Sequence, residues 1–369
     1  VLTHKNLVWD ARQCHTIQPV DETYRFLSIL PMAHTYENTL GLLLPLMFGA
    51  QVYYLDRVPT PKLLVPAMQK IRPTVVLSVP LIIEKIYKSQ VLPKFTSSKL
   101  MSKLYQFAPA RKLFNRLAGK KLMETFGGEL KFFGIGGSKL DGTVEQFLRE
   151  AKFPYAIGYG LTETAPMAAG SNPSQTFLQG VGPVMEGVQI KINDPDKSGQ
   201  GEIWIKGPNV MKGYYKRPEL TAETFTEDGW FKTGDLGSFD KKNRLAIRGR
   251  IKTMILGASG ENIYPEEIES IINNFRFVNE SLVVENSGKL VAMVHFNMEE
   301  LEKQYQKLKD QAGNYKEKIN DYIEEQKQEL RDYVNARVNN FSKLQLVLVQ
   351  HEPFEKTPTH KIKRFLYCK

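Results

Sequence analysis

Cysteine is almost absent: Cys14 and Cys368 stand near opposite ends of a 369-residue chain. Two such residues make neither a disulfide framework nor a zinc-ligand spacing, and the pattern suits a reducing cytoplasm. The opening VLTHKNLVWD has no basic segment followed by an apolar core, so it does not read as a secretory signal. Long hydrophobic runs are scarce too. The nearest is NTLGLLLPLMFGAQVYYL, residues 38–55, and about 18 uncharged residues can be enough to span a bilayer. Pro45, Gly49 and Gln51 divide it into a helix, a turn and a β-rich QVYYL, which argues against a span. No internal repeat and no GxxxxGK[ST] phosphate loop occur. Nucleic-acid-binding motifs are missing as well, so the excess of basic residues is not read as a nucleic-acid surface.

What is present is a chain with 42% hydrophobic residues, long enough to divide into two or three domains. Its net charge of +10 is uneven. Residues 94–131 hold nine Lys/Arg against two Glu, a net +7. Leu100, Leu104, Phe107, Leu113 and Leu117 interleave with those cations. Either they form a buried face with lysines outside, or the stretch associates peripherally with anionic membrane.

The pattern along the chain predicts a mixed α/β and α+β multidomain fold. RFLSIL, TVVLSVP, ELKFFGIGG and FPYAIGYG read as short buried strands, and DGTVEQFLREA reads as an amphipathic helix presenting Val144, Phe147 and Leu148. Strand, turn, helix and strand in that order form a βαβ unit, hence a parallel sheet with flanking helices over residues 1–175. From 176 to 250, VQIKIND, GEIWIKG, GSFD and RLAIRGR alternate with Gly/Asp/Pro turns and predict a small antiparallel, barrel-like subdomain. Residues 251–369 read as a small mobile C-terminal α+β domain. Within it, PEEIESIINNF is a helix with Pro265 at its start, and an exposed helical insertion covers about 299–338.

Several motifs carry chemistry. GIGGSKL (134–140) fails the dinucleotide fingerprint, because Lys139 sits where the third glycine belongs. With GYGLTET (158–164) it nevertheless ends neighbouring strands of one predicted sheet, where such sheets bind ligands. Glu163 stands between two threonines with no basic residue beside it in sequence. GWFKTGDLG is expected to hold Asp235 in a glycine-bounded turn, poised to accept hydrogen bonds from a sugar diol or simply closing an Asx turn. RGRIKTMI and KTPTHKIKR are basic segments that would otherwise be an exposed strand face and a tail.

In this order the set GGSKL, GYGLTET, GEIWIKGPNVMKGYYKRPELTAETF, GWFKTGDLG, GRIKTMILGASGENIYPEEIE and KTPTHKIKR resembles the AMP-forming adenylate synthetases. That superfamily includes acyl-CoA synthetases, luciferases and the adenylation domains of peptide synthetases. The resemblance runs from Val1 to about Arg364. LPMAHTYENTLG and the helical insertion are similar to the long-chain fatty acid–CoA ligase branch.

The resemblance implies ATP-dependent conversion of a fatty acid to an acyl-adenylate, with release of pyrophosphate, and transfer of the acyl group to coenzyme A. Glu163 would bind Mg²⁺ and Thr162 the α-phosphate. Tyr159 would stack on adenine, lined by Gly137, Ser138, Gly158 and Gly160. Asp235 and Arg250 match the residues that hold the ribose, and Lys361 matches the catalytic lysine. Lys252 falls at the hinge, Gly260 in the CoA tunnel, and His34, Gly134 and Gly136 in the substrate pocket. An aryl, short-chain or amino-acid ligase and a non-catalytic nucleotide-binding fragment are the alternatives. Two features depart from the family pattern: His360 replaces the usual glycine before the lysine, and the Ser/Thr/Gly-rich loop that cradles the β- and γ-phosphates has no counterpart. The chain is therefore expected to be a piece lacking the N-terminal part of the large domain, with impaired turnover by itself.

Overall fold

The computed structural model describes residues 1–57, 59–96, 98–257, 261–308, 315–357 and 362–368. The chain divides into two compact units, Val1–Ile247 and Arg248–Lys369. The segments 1–175 and 176–247 thus share one unit, and the division falls three residues before the expected boundary at 250.

The first unit begins with the helix His4–Ile17. Thr3 caps it by accepting from the Asn6 amide at 3.2 Å, while the Asn6 side chain accepts from the Thr3 amide at 2.8 Å. Six strands follow: β1 (Arg25–Ser28), β2 (Gln51–Tyr54), β3 (Val75–Ser78), β4 (Phe132–Ile135), β5 (Tyr155–Gly160) and β6 (Met167–Gly170). They form one sheet in the order β2-β1-β3-β4-β5-β6, in which β1 to β5 run parallel and β6 returns antiparallel to β5. The chain goes outward from β1 to β2, then reverses and builds β3 to β6 on the other side. The crevice between β1 and β3 is therefore a topological switch point.

Apart from β2, whose residues are mostly exposed, these strands are largely buried because both faces are covered. Neighbouring residues go to opposite cores. Phe26, Val75, Leu77 and Tyr159 pack with Ala11, Tyr36 and Leu40 on one side. Leu27, Val76, Phe133 and Tyr155 pack with Ile83, Phe126, Phe147 and Leu148 on the other. The helix Gly142–Glu150 supplies Val144, Phe147 and Leu148 to that core, and Asp141 caps it through the amides of Thr143 and Val144. The run 38–55 breaks where its residues require. A π-helix, Glu37–Leu43, leads into a short helix, Leu44–Met47; Gly49 turns at φ +75°, and β2 follows. Among the described residues no helix is long and apolar enough to cross a membrane.

Strands β7 (Gln189–Asn193), β8 (Gly201–Lys206), β9 (Phe231–Phe239) and β10 (Leu245–Arg250) form a second sheet, ordered β10-β9-β8-β7. The pairings β7–β8 and β8–β9 are antiparallel. This order has two ends and does not close into a ring of strands. Ile203, Ile205, Phe231 and Leu245 join the core that contains Tyr159, so this sheet packs against the first.

In the second unit, β11 (Ile255–Leu256) pairs with β12 (Asn262–Ile263), and the helix Pro265–Ile272 leads to a sheet of β13 (Val278–Asn286), β14 (Lys289–Phe296) and β15 (Leu346–Val349). Ser287 and Gly288 join β13 to β14 with φ of 54° and 75°, the two positive angles of a type I′ hairpin. Helices Met298–Leu308 and Tyr315–Asn335 occupy the expected insertion. They are less exposed than their composition suggests, because Leu301, Leu330 and Val334 are fully buried in the unit's core. A thin apolar stripe suffices when it meets a sheet.

Phe133 is wholly buried, edge-on to Phe126 and Phe153 at 5.5 and 5.4 Å. Phe133→Ala is expected to lower the unfolding free energy by about 3–5 kcal/mol, measured by urea denaturation.

Candidate functional site at the carboxyl ends of β4 and β5

The GIGG turn leaves the end of β4, and its glycines have a packing reason. The Tyr36 ring lies against them: a Cβ on Gly134 would sit 2.9 Å from the Tyr36 hydroxyl oxygen, and one on Gly136 would sit 3.3 Å from the ring. Gly137 has φ +90°, which side chains rarely adopt. Gly137 and Ser138 are exposed at the strand end. Tyr36 and His34 come from the segment that follows β1, and the half-buried His34 accepts from the Tyr36 amide through Nδ1 at 3.2 Å. Gly134 and Gly136, expected to line a substrate pocket, are buried beneath Tyr36. Nothing in LPMAHTYENTLG alone distinguished this tyrosine as their cover.

Next along the sheet, β5 carries Gly158, Tyr159 and Gly160. A Cβ at Gly160 would lie 1.7 Å from the Pro166 carbonyl oxygen, so no other residue fits there without moving the chain. The 3₁₀ turn Thr162–Thr164 follows, and Thr164 Oγ1 holds it by accepting from the Leu161 amide and donating to the Pro166 carbonyl. Thr162 is exposed and Glu163 half-buried. Glu163 has a partner that its neighbours in sequence did not reveal: Tyr214 Oη donates to Glu163 Oε1 at 2.9 Å. Burial and this carboxylate push the Tyr214 phenol up to about 12, so it stays a donor at neutral pH. The Met211 amide also donates to the Glu163 carbonyl at 2.8 Å, clamping the turn to the VMKGYYK segment.

Asp235 lies inside β9, correcting the expectation of a turn. Gly234 takes φ +69° in mid-strand, and the β8–β9 register shifts between Glu202 and Trp204. The outcome is a buried carboxylate facing β5. Tyr159 Oη donates to Asp235 Oδ2 at 2.9 Å, with both residues over nine-tenths buried. Tyr159, Thr162, Glu163 and Asp235 are therefore brought to one end of the sheet.

Among the described residues no three His, Cys, Asp or Glu side chains gather into a metal cage. One oriented carboxylate, Glu163, fits a hard cation that takes most of its remaining ligands from phosphate and water, which is the habit of Mg²⁺.

In the second unit, Arg250 and Lys252 are exposed, at the end of β10 and in the following 3₁₀ turn. Gly260, His360 and Lys361 lie outside the described residues. The flanks of 358–361 are anchored: Lys356 and Ile362 form an isolated bridge, and Arg364 pairs with Glu269 of the helix Pro265–Ile272. Sequence reasoning did not pick out Arg364.

Together these features define a mixed α/β protein whose candidate ligand groups sit at the carboxyl ends of a parallel sheet. Residues 1–215 match the family model described as AMP-binding enzyme, and the chain belongs to that family. It is 32% identical over 298 residues to the long-chain-fatty-acid–CoA ligase heimdall of Drosophila melanogaster, covering 74% of this chain and 43% of the relative. It is 29% identical to the peroxisomal long chain acyl-CoA synthetase 6 of Arabidopsis thaliana, covering 99% and 56%. The chain thus spans about half the length of these curated relatives. Its fold is similar to ATP-bound MatB from Rhodopseudomonas palustris, with TM-score 0.73 and 21% identity over 99% of this chain and 63% of that one. It is also similar to O-succinylbenzoate coenzyme A synthetase from Bacillus subtilis in complex with ATP and magnesium ion, with TM-score 0.71 and 22% identity over 98% and 65%.

Two outcomes test the geometry. Tyr159→Phe removes a donor from a buried carboxylate and is expected to cost about 1–3 kcal/mol in urea unfolding. Glu37, buried behind β1 with Ser28 donating to Oε1 at 2.5 Å, is raised by desolvation from 4.5 to about 7. A folded-state value above the unfolded one means that the native chain holds a proton the unfolded chain releases. Stability from this group is thus complete below about 4.5 and is lost as pH rises toward about 7. Glu37→Gln cannot ionise. Its stability relative to the parent is expected to improve by about 3 kcal/mol between pH 4 and pH 8, read from urea midpoints across that range.

Proposed function

We propose that this chain is part of an AMP-forming acid–CoA ligase acting on long-chain fatty acids. The observation that carries the nucleotide half of this reading is the Tyr159–Asp235 hydrogen bond beside Glu163. It joins a ring able to flank a base, a carboxylate able to accept ribose hydroxyls, and a carboxylate able to meet a phosphate-bound cation. The similarity to named long-chain ligases supports the acyl half.

In this reading adenine lies against Tyr159 with Gly137, Ser138, Gly158 and Gly160 at its edges, and Asp235 and Arg250 hold the ribose. Thr162 donates to the α-phosphate. Mg²⁺, when bound through Glu163, neutralises phosphate charge. Lys361 brings a cation to the oxygens of the attacking carboxylate and the α-phosphate, where negative charge concentrates in the transition state. Lys252 serves as the hinge, and Gly260 belongs to the coenzyme A tunnel. His34 borders the acyl site.

Asp235→Ala is expected to weaken AMP binding to this chain by tenfold or more in calorimetry. In a protein containing this chain, Lys361→Ala is expected to lower palmitate-dependent pyrophosphate release about 10²–10³-fold while leaving AMP affinity within a few-fold. Pyrophosphate release that depends on an aryl or short-chain acid and ignores palmitate would move the substrate assignment to another acid, leaving the nucleotide reading intact.

A further inference from the structure

Between β3 and β4 lie three helices, Leu92–Thr96, Lys99–Gln106 and Ala108–Thr125. Their inward packing is accounted for without the large apolar residues named from sequence. Phe95 stacks on Tyr105 and Phe114 at 4.9 and 5.5 Å. Tyr105 Oη donates to Asn115 Oδ1 at 2.8 Å, Asn115 Nδ2 donates to Glu150 at 2.7 Å, and Arg111 pairs with Glu150 at 2.9 Å. Gly119 lies so close to Ala151 that a Cβ there would sit 2.6 Å from the alanine's own.

Leu122 joins the core behind these helices, whereas the five apolar residues named from sequence face outward. Leu100 is 69% exposed, Leu104 40%, Phe107 63%, Leu113 57% and Leu117 61%. Within this chain, then, the five side chains do not form a buried face. Single exposed leucines need no explanation, but five between positions 100 and 117 do. Leu100 and Leu104 are one turn apart on their helix. Phe107 stands at the joint with the next helix, where Leu113 and Leu117 are again one turn apart. Lys112, Arg116 and Lys120 make the adjacent row, Lys121 extends the leucine row, and Lys103 precedes Leu104; all five cations are exposed. The one acidic residue between 94 and 125 is Glu124.

We propose that this helical face docks on the interface of an anionic phospholipid bilayer. Leucine and phenylalanine side chains enter the boundary between headgroups and acyl chains, and the lysines and Arg116 meet the phosphates. Charge selects the occupant. A second copy of this face would bring like-charged rows together, and a polyanion in solution would leave the five apolar side chains in water. A membrane accepts both kinds of residue at once. The proposal goes beyond the ligase reading and stands whichever acid the site activates.

The test is co-sedimentation of the chain with phosphatidylcholine vesicles, with and without about one third phosphatidylglycerol, over a series of salt concentrations. The expected result is binding to the anionic vesicles that weakens with salt. Partitioning should fall roughly fivefold per cation removed in Lys112→Ala/Lys120→Ala. It should fall more than tenfold in Phe107→Ser/Leu113→Asn/Leu117→Asn. The lysine variant alters exposed side chains, and matching urea midpoints for parent and variants establish that all are folded. The proposal is overturned if the chain ignores lipid charge, if it fails to bind vesicles, or if neither variant changes its partitioning. It is also overturned if, without lipid, the chain is a dimer that the apolar substitutions convert to monomer.

Discussion

The hydrogen bond from Tyr159 to Asp235 is the constraint on which the candidate site depends. Its partners come from different sheets, one parallel and one antiparallel, and are 76 residues apart in sequence. A carboxylate this deeply buried needs a donor, because desolvation without one costs several kcal/mol. The phenol supplies it, and in doing so fixes the end of β5 against the middle of β9. The 3₁₀ turn that holds Thr162 and Glu163 leaves β5 immediately afterwards, so its position follows from that contact. Tyr214 then steadies Glu163 from a third segment. Two carboxylates, each oriented by a tyrosine, thus face one strand end.

The glycines around this point are better understood as space than as flexibility. At Gly160 the Pro166 carbonyl occupies the room a side chain would need, and at Gly134 and Gly136 the Tyr36 ring does. Bringing backbone and ring this close lets two short strands end flush beside the ligand face. Glu37, next to Tyr36, is the less comfortable consequence. The π-helix that starts there places a carboxylate inside the protein with one hydroxyl donor from Ser28. Oε2 lacks a hydrogen-bond partner, consistent with a group that keeps its proton well above the ordinary carboxylate range.

Much of this was legible in the sequence because local signals agreed with one another. RFLS and the proline-bounded VVLS became β1 and β3, Asp141 and Val144–Leu148 became a capped amphipathic helix, and Pro45 with Gly49 broke the uncharged run where expected. What stayed hidden depends on distance. GWFKTGDLG has the composition of a turn, but pairing of β9 with β8 stretched it into a strand and turned Asp235 inward. Glu163 looked bare because its donor lies 51 residues away. The insertion after β14 looked solvated because its apolar stripe is thin, yet three residues of that stripe are fully buried.

The helices between β3 and β4 present the opposite case, in which sequence composition was clear and its meaning was not. Alternating lysines and leucines describe equally well a helix that buries its leucines and one that displays them. The inward face decides between the two. Phe95, Tyr105, Phe114 and Asn115 occupy it, Glu150 takes both Arg111 and Asn115, and Leu113 and Leu117 lie exposed on the other side. Leaving five large apolar side chains in water forgoes burial worth about 1.5–3 kcal/mol for each one that could be covered. Under the membrane proposal, the complement of this surface lies outside the chain and is apolar and anionic together.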